Sequence, residues 1–404
     1  MTDSEAKIYQ YLSNYFTSNE LQIMKKYYIH DYNHDDTFFN DPEYLQLTKL
    51  YKSLLNIADE GKYRIEVDES GRALIKKLFE RYVTTDTLVI TTVEEHFSVT
   101  NEINKLNPKN VFKICIGGEE HLSNKLIEEI LAKYNSSNCK NIFIFLPGVV
   151  PGFSIVLNQT LLCNIKTALI KNNIPHIFVL DDCQGILNIK RDYDIFDAIL
   201  ISTHVLFLGF DMGILFTKLN KKIGYVNKTG LKRFAEKLEI LSNHRDKANQ
   251  FNTLLTEYFN PILNDSFVKK IDTAPQYFTL TLNNIKNQAK YTKELYTKYR
   301  ITINEVNAPV SWLRIRLHEA LIQNPNHFLE GLRKTTQILN KLEMQKNLIS
   351  ENQNKIEQYF EYNDLDIKEI YDMENEFYNF KTPQEIIQAK HIIMSQILGF
   401  NRSR

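Results

Sequence analysis

Four short segments of this chain carry residue types that chemistry uses. Asp181-Asp182-Cys183-Gln184-Gly185 follows the apolar run His176–Leu180. A carboxylate at the end of a buried strand is desolvated, which costs free energy unless it meets a cation or several donors. A protonated ring nitrogen is one such cation; a helix cap or loop aspartate is the plainer explanation. Thr92-Val93-Glu94-Glu95-His96-Phe97-Ser98-Val99 follows a second apolar run. His96 there could stack flat on a ring, or serve as an ordinary surface or core histidine. Glu69-Ser70-Gly71-Arg72 precedes a helical pattern. Its hydroxyl and the first-turn N–H groups offer a site for an anion, although Ser-Gly turns before helices are common. The fourth segment, Thr203–Gly213, holds His204 between two more apolar runs.

The elements that must position these residues alternate. Arg72–Tyr82 places Leu74, Ile75, Leu78, Phe79 and Tyr82 on one helical side. Strands are expected at Thr87–Ile90, Val111–Ile116, Asn141–Leu146, His176–Leu180, Ala198–Ser202 and Gly213–Thr217. Helices are expected at Ser123–Tyr134, with Ser123 as its N-cap, and at Leu157–Lys171. Continuously apolar strands interleaved with amphipathic helices fit an α/β fold with a mainly parallel sheet covered on both faces. Such sheets bind ligands beyond the carboxyl ends of their strands. The preceding stretch reads as helical, notably Tyr44–Ala58. The C-terminal part is helix-rich, with strands expected near Tyr277–Leu282 and Trp312–Leu317 and a helix at Asn326–Leu339. The expected organisation is an N-terminal helical segment (1–64), a large α/β domain (65–235), a smaller α/β domain (236–340) and a helical extension (341–404).

Composition narrows the function classes. The 404 residues hold 49 Lys+Arg against 49 Asp+Glu, for no net charge. Bulk neutralisation of nucleic-acid phosphates is therefore not expected. Four cysteines without a CxxC pair make neither a disulfide scaffold nor a structural zinc site. No apolar run approaches the roughly 18 residues of a membrane span, and MTDSEAKIYQ lacks the basic and apolar regions of a secretory signal. A soluble, cytoplasmic protein is the expectation.

Taken in order, the segments resemble the fold-type-I family of pyridoxal-phosphate (PLP) enzymes, in particular its class V aminotransferase and cysteine-desulfurase branch, over roughly residues 65–335. The resemblance implies that Ser70, Gly71 and Arg72 hold the cofactor phosphate. It implies that His96, in Ile90-Thr91-Thr92-Val93-Glu94-Glu95-His96-Phe97-Ser98-Val99, stacks on the pyridine ring. Asp181 would pair with the pyridinium nitrogen, with Gln184 near the phenolic oxygen. Arg314, in Leu313-Arg314-Ile315-Arg316-Leu317-His318, would take the substrate α-carboxylate. The chemistry agrees: an aspartate keeps the ring nitrogen protonated and the electron sink deep, and arginine binds a carboxylate as a fork.

One departure stands out. The family's Schiff-base lysine belongs in the segment that here reads Ser202-Thr203-His204-Val205, and Val205 takes its place. No lysine occurs between Arg191 and Thr217; Lys218, Lys221 and Lys222 lie beyond the next strand. Valine can neither form the imine nor move a proton. Three outcomes follow. The protein binds pyridoxamine 5′-phosphate (PMP), a PLP–amino-acid aldimine or a similar anionic, amino-acid-like ligand noncovalently, with His204 as the nearest proton carrier. Or it is a pseudoenzyme subunit, heterodimeric with a lysine-containing paralogue. Or the pocket has been put to other use. The family's usual homodimer is the default assembly. A rival from another class is metal binding by Ile29-His30-Asp31-Tyr32-Asn33-His34-Asp35-Asp36, where a solvated loop is the simpler account.

Overall fold

The computed structural model describes residues 1–26, 41–55, 57, 63–93, 95–114, 124–150, 156–187, 189–203, 212–263, 268–271, 274–282, 288–303 and 311–341. In chain order come α1 (Asp3–Ser13), α2 (Ser18–Lys25), α3 (Pro42–Leu55), β1 (Arg64–Asp68), α4 (Gly71–Tyr82), β2 (Thr87–Thr92), α5 (Phe97–Ile103) and β3 (Val111–Ile114). There follow α6 (Asn124–Ser136), β4 (Asn141–Pro147), α7 (Gln159–Lys171), β5 (His176–Asp181), β6 (Ala198–Ser202) and β7 (Gly213–Thr217). The C-terminal part holds α8 (Lys228–Asn243), α9 (Arg245–Phe259), β8 (Val268–Ile271), β9 (Tyr277–Leu282), α10 (Gln288–Tyr299), β10 (Thr302–Ile303), β11 (Ser311–Arg316), α11 (Leu317–Leu321) and α12 over 325–341.

Strands β1 to β7 form one sheet in the order β1-β7-β6-β5-β4-β2-β3. The pairs β2–β3, β2–β4, β4–β5 and β5–β6 are parallel, and β7 runs antiparallel to both β6 and β1. The mainly parallel α/β sheet expected from the apolar runs is thus present. Period-two alternation splits the core between its faces. From β4, Ile142, Ile144 and Leu146 join Leu88, Ile90, Phe178 and Leu180 on one side. Phe143 and Phe145 join Val89, Val179, Leu74 and Leu78 on the other. A second, antiparallel sheet has the order β10-β11-β9-β8 and its own core, into which Phe278, Leu313, Leu255 and Leu332 pack. Helix α1 belongs to that core through Ile8 and Leu12. It is tied there by Arg333, whose Nε and Nη2 donate to the Glu5 carboxylate at 2.7 and 3.0 Å.

Strand β1 was not expected from the pattern, and its charged residues explain why. Glu66 is fully buried, yet its Oε2 accepts the N–H groups of Ile223 and Gly224, each at 2.6 Å, and its Oε1 accepts Arg64 Nε at 2.6 Å. A satisfied buried carboxylate looks like a surface residue in a sequence. Elsewhere the boundaries move by a few residues: Gln159 begins α7 behind an Asn158 N-cap. Ser123, the His30–Asp36 cluster, His204, Val205 and the chain beyond 341 lie outside the described residues. No helix among the described residues is long and apolar enough to cross a membrane.

The start of β7 passes unusually close to the turn that opens α4. A Cβ added at Gly213 would lie 2.5 Å from the Ser70 carbonyl oxygen and 2.7 Å from the Gly71 nitrogen. Gly213→Ala must therefore push the turn off the sheet. It should cost about 1–3 kcal/mol as an overpacking change, read as a lower urea-unfolding midpoint.

Candidate functional site

The strand ends gather most of the residues singled out in the sequence. Ser70 is the N-cap of α4, its hydroxyl accepting the Ala73 N–H at 3.2 Å. Gly71 is buried against Ser202, the last residue of β6: a Cβ on Gly71 would sit 3.2 Å from the Ser202 Cβ. The positive end of α4 is thereby laid over the carboxyl end of β6. Arg72 lies on the exposed side of the same first turn.

Asp181 closes β5. It stands opposite Pro147 of β4 and Leu200 of β6, and its carbonyl accepts the Gly148 N–H at 2.7 Å. Its side chain is half-buried, and its Oδ1 accepts the Cys183 N–H at 3.1 Å. Burial raises its carboxyl above the ordinary aspartate range, against the pull of the Cys183 hydrogen bonds and with a further push from Asp182. No described cation pairs with Asp181. Two strands away, beyond β4, His96 is the half-buried N-cap of α5. Its Nδ1 accepts the Ser98 N–H at 3.3 Å, which in the neutral ring leaves the proton on Nε2. At the usual strand spacing the ends of β2 and β5 are roughly 10 Å apart, with the end of β4 as the floor between them.

The other sheet contributes from one side. Arg314, near the middle of β11, is 1 % exposed and lies over the Tyr277 ring at 5.3 Å. Its Nη1 donates to Gln184 Oε1 at 3.4 Å. The Gln184 carbonyl accepts the side-chain N–H of Gln276, just ahead of β9. The turn after Asp181 is therefore held to the second sheet through Gln184, although Arg314 is 130 residues away in sequence.

Two groups were passed over in the sequence. Asp182 is fully buried: Tyr193 donates its hydroxyl to Oδ2 at 2.7 Å, and Arg191 Nε lies 3.5 Å from Oδ1. Burial pushes this carboxyl up, and Arg191 and Tyr193 draw it back down. Glu95 is buried as well, with Thr92 donating its hydroxyl to Oε1 at 3.1 Å. Burial first, then the charge of Asp181, push the Glu95 carboxyl up to about 8, against the pull of the Thr91 and Thr92 hydroxyls and the His96 backbone N–H. The available signal was the doubled acid, Glu94-Glu95 and Asp181-Asp182, at the ends of apolar strands.

No protein-family model and no curated relative matches the sequence. Solved structures do match. A NifS-like protein aligns with a TM-score of 0.59 at 15% identity, covering 81% of this chain and 96% of its own. A NifS-like protein from Rickettsia africae gives 0.56 at 17%, covering 83% and 98%. The histidinol-phosphate aminotransferase of Clostridium acetobutylicum gives 0.54 at 13%, covering 76% and 91%. Likeness at this level of identity concerns the fold: the chain has the fold-type-I architecture of PLP-dependent transferases, as the resemblance implied.

Glu95 gives a stability test. With its carboxyl raised to about 8 in the folded chain and near 4.3 when unfolded, the folded state keeps a proton that the unfolded state loses. Between those values wild-type stability should fall by about 1.4 kcal/mol per pH unit relative to Glu95→Gln, and be parallel to it below and above. Urea unfolding of both proteins across that range reads the difference.

Proposed function

We propose that the protein binds PMP, or a preformed adduct of the cofactor with an amino acid, noncovalently at the carboxyl ends of β2, β4 and β5. The observation that carries this is Asp181: a carboxyl raised by burial, at a strand end, with no cation paired to it among the described residues. A cationic ring nitrogen would fill that role and relieve the desolvation. Ser70 and the first turn of α4 would take the phosphate through a hydroxyl and backbone N–H groups. His96 would lie against the ring. Arg314 would exchange its Gln184 contact for a ligand carboxylate, a stronger charge-assisted partner. When bound, the cofactor supplies an electron sink for negative charge on a substrate carbon.

The protein's own residues orient and neutralise rather than attach. The stretch from Asp192 to Thr217 has no lysine, so no group there can form the usual covalent link. The same stretch equally suits a non-catalytic subunit, which would co-purify with a lysine-bearing paralogue.

Mixing the purified protein with PMP or PLP should change the ring absorbance without any adduct that borohydride can trap. A trapped lysine overturns noncovalent binding, and an unchanged spectrum with both forms overturns the cofactor reading. Asp181→Asn should weaken PMP binding by roughly 10- to 150-fold, the worth of a charged hydrogen bond of about 1.5–3 kcal/mol.

A further inference from the structure

Gln276 joins the two sheets beside the strand ends, and the proposed site gives it no part. It directly precedes β9 and is 6 % exposed. Its side-chain N–H donates to the Gln184 carbonyl, in the turn after Asp181. Its own carbonyl accepts the Leu317 N–H at 2.8 Å, where β11 passes into α11. The backbone beside it is fixed as well. The Tyr277 N–H donates to the Ala274 carbonyl at 2.9 Å, and the Asn252 side-chain amide on α9 donates to the same oxygen at 3.1 Å. An apolar contact lies alongside, where Ala274 and Tyr277 pack with Val149 and Ile189 from the loops after β4 and β5. Gln276 is thus anchored in the second sheet, and its donor end grips a turn of the first.

That turn also meets Arg314. Gln184 offers two oxygens to the second sheet: its carbonyl to Gln276, and its Oε1 to Arg314 Nη1 at 3.4 Å. Arg314 in turn lies over the ring of Tyr277, the residue after Gln276. Asp181, by contrast, is fixed from its own sheet. Its carbonyl accepts the Gly148 N–H at 2.7 Å, its Oδ1 accepts the Cys183 N–H at 3.1 Å, and the next N–H, of Asp182, donates to the Leu200 carbonyl at 3.0 Å. The Gln276 contact therefore governs how close β11 stands to the turn, and with it where the guanidinium lies relative to Asp181. An arginine fork holds a carboxylate strongly only when its planar N–H groups are aimed at both oxygens, so small displacements are costly.

We propose that Gln276 is a positioning residue for the carboxylate end of the ligand: by holding the Gln184 turn to the second sheet, it sets Arg314 at the separation from Asp181 that an amino-acid adduct of the cofactor spans. The proposal rests on the reading of the strand ends as a cofactor site and deepens it. The two ends of the ligand are held from different sheets, and preference for a ligand bearing a carboxylate depends on the tie between them. PMP has no carboxylate and calls only on groups of the first sheet. An adduct calls on both sheets at once. The Gln276 amide is suited to placing the turn more than to stabilising the fold, because its Oε1 is enclosed and makes no hydrogen bond to a described residue.

The test compares two probes, PMP and phosphopyridoxyl-L-alanine, the reduced adduct of PLP with alanine. Each is titrated by absorbance into wild type, Gln276→Met, Arg314→Met and the double variant, all checked for native near-ultraviolet circular dichroism. Wild type should bind the adduct more tightly than PMP. Methionine keeps the length of glutamine and removes its donor, so Gln276→Met should lose about threefold to tenfold on the adduct, the worth of one neutral hydrogen bond, and stay within about twofold on PMP. Gln276→Leu serves the same comparison if the methionine variant does not fold. In the Arg314→Met background the Gln276 change should have no further effect on the adduct, because coupled residues do not add. Equal losses on both probes, an unchanged affinity for the adduct, or a loss that persists without Arg314 each overturns the role of Gln276 while leaving the cofactor site standing. Wild type binding the adduct no better than PMP does the same. A wild-type protein that binds neither probe overturns the site itself and this role with it.

Discussion

Arg191 and Asp182 meet where no water reaches either side chain, and the geometry of the strand ends depends on that pair. The two side chains are 1% and 0% exposed. Besides facing Asp182, the guanidinium donates from Nη2 to the Gly148 carbonyl and from Nη1 to the Leu157 carbonyl at 3.0 Å. One cation thus binds the turn after β5, the residue after β4 and the approach to α7. Tyr193 adds its hydroxyl to Asp182, and Tyr63 holds that stretch, sharing its one hydroxyl proton between the carbonyls of Tyr193 and Phe196 at 2.6 and 2.7 Å. Removing one member of a buried pair of this kind leaves a charge uncompensated and costs about 3–5 kcal/mol. Gly148 and Gly185 fit the same constraint, because a side chain at either would run into the Asp182 carboxyl.

The pair gives two consecutive aspartates opposite fates. Asp182 turns inward and is satisfied by the protein itself. Asp181 turns to the strand end, receives the Cys183 N–H and meets no described cation. This combination would suit the binding role proposed for Asp181: its backbone is fixed, and its charge meets no described cation. Fixed polar groups in a desolvated place act strongly because nothing must reorganise when the partner arrives. The second doubled acid behaves similarly at β2, where Glu95 is drawn into the interior within the field of Asp181.

What the sequence disclosed followed from burial. Asn141–Leu146 and Ala198–Ser202 are almost continuously apolar because both faces of a central strand in this mainly parallel sheet are covered, so their limits were nearly visible in the residues alone. β1 was hidden because Glu66 and Asp68 interrupt its apolar character, and nothing local in the sequence reveals that Glu66 is answered by N–H groups some 157 residues away. Gly71 and Gly213 illustrate the same limit: each looks like turn punctuation, while their close approach to Ser202 and Ser70 exists only after the sheet forms. Asp181, His96 and Ser70 were recognisable as strand-end and helix-cap residues. Their arrangement around β4 required the strand order, which a list of strands does not contain.

Arg314 and Gln184 show how the second sheet enters the chemistry. Alternation along β11 puts Arg314 and Arg316 on the face opposite Leu313 and Ile315; Arg314, mid-strand, is buried, while Arg316 at the strand end is half-buried and engages Glu319 at 3.2 Å. Arg314 instead reaches across to Gln184, a neutral acceptor at 3.4 Å, longer than a strong hydrogen bond. Arginine in that position prefers a carboxylate, which offers two charged oxygens to its planar fork. An anion arriving beside Asp181 would therefore compete favourably for the guanidinium, and the Gln184 amide it displaces belongs to the turn that fixes Asp181. Arg314 and Asp181 are thus joined through the turn at Gln184, which also ties the two sheets together. A ligand bearing both charges, as proposed for this site, would meet groups whose positions already depend on each other.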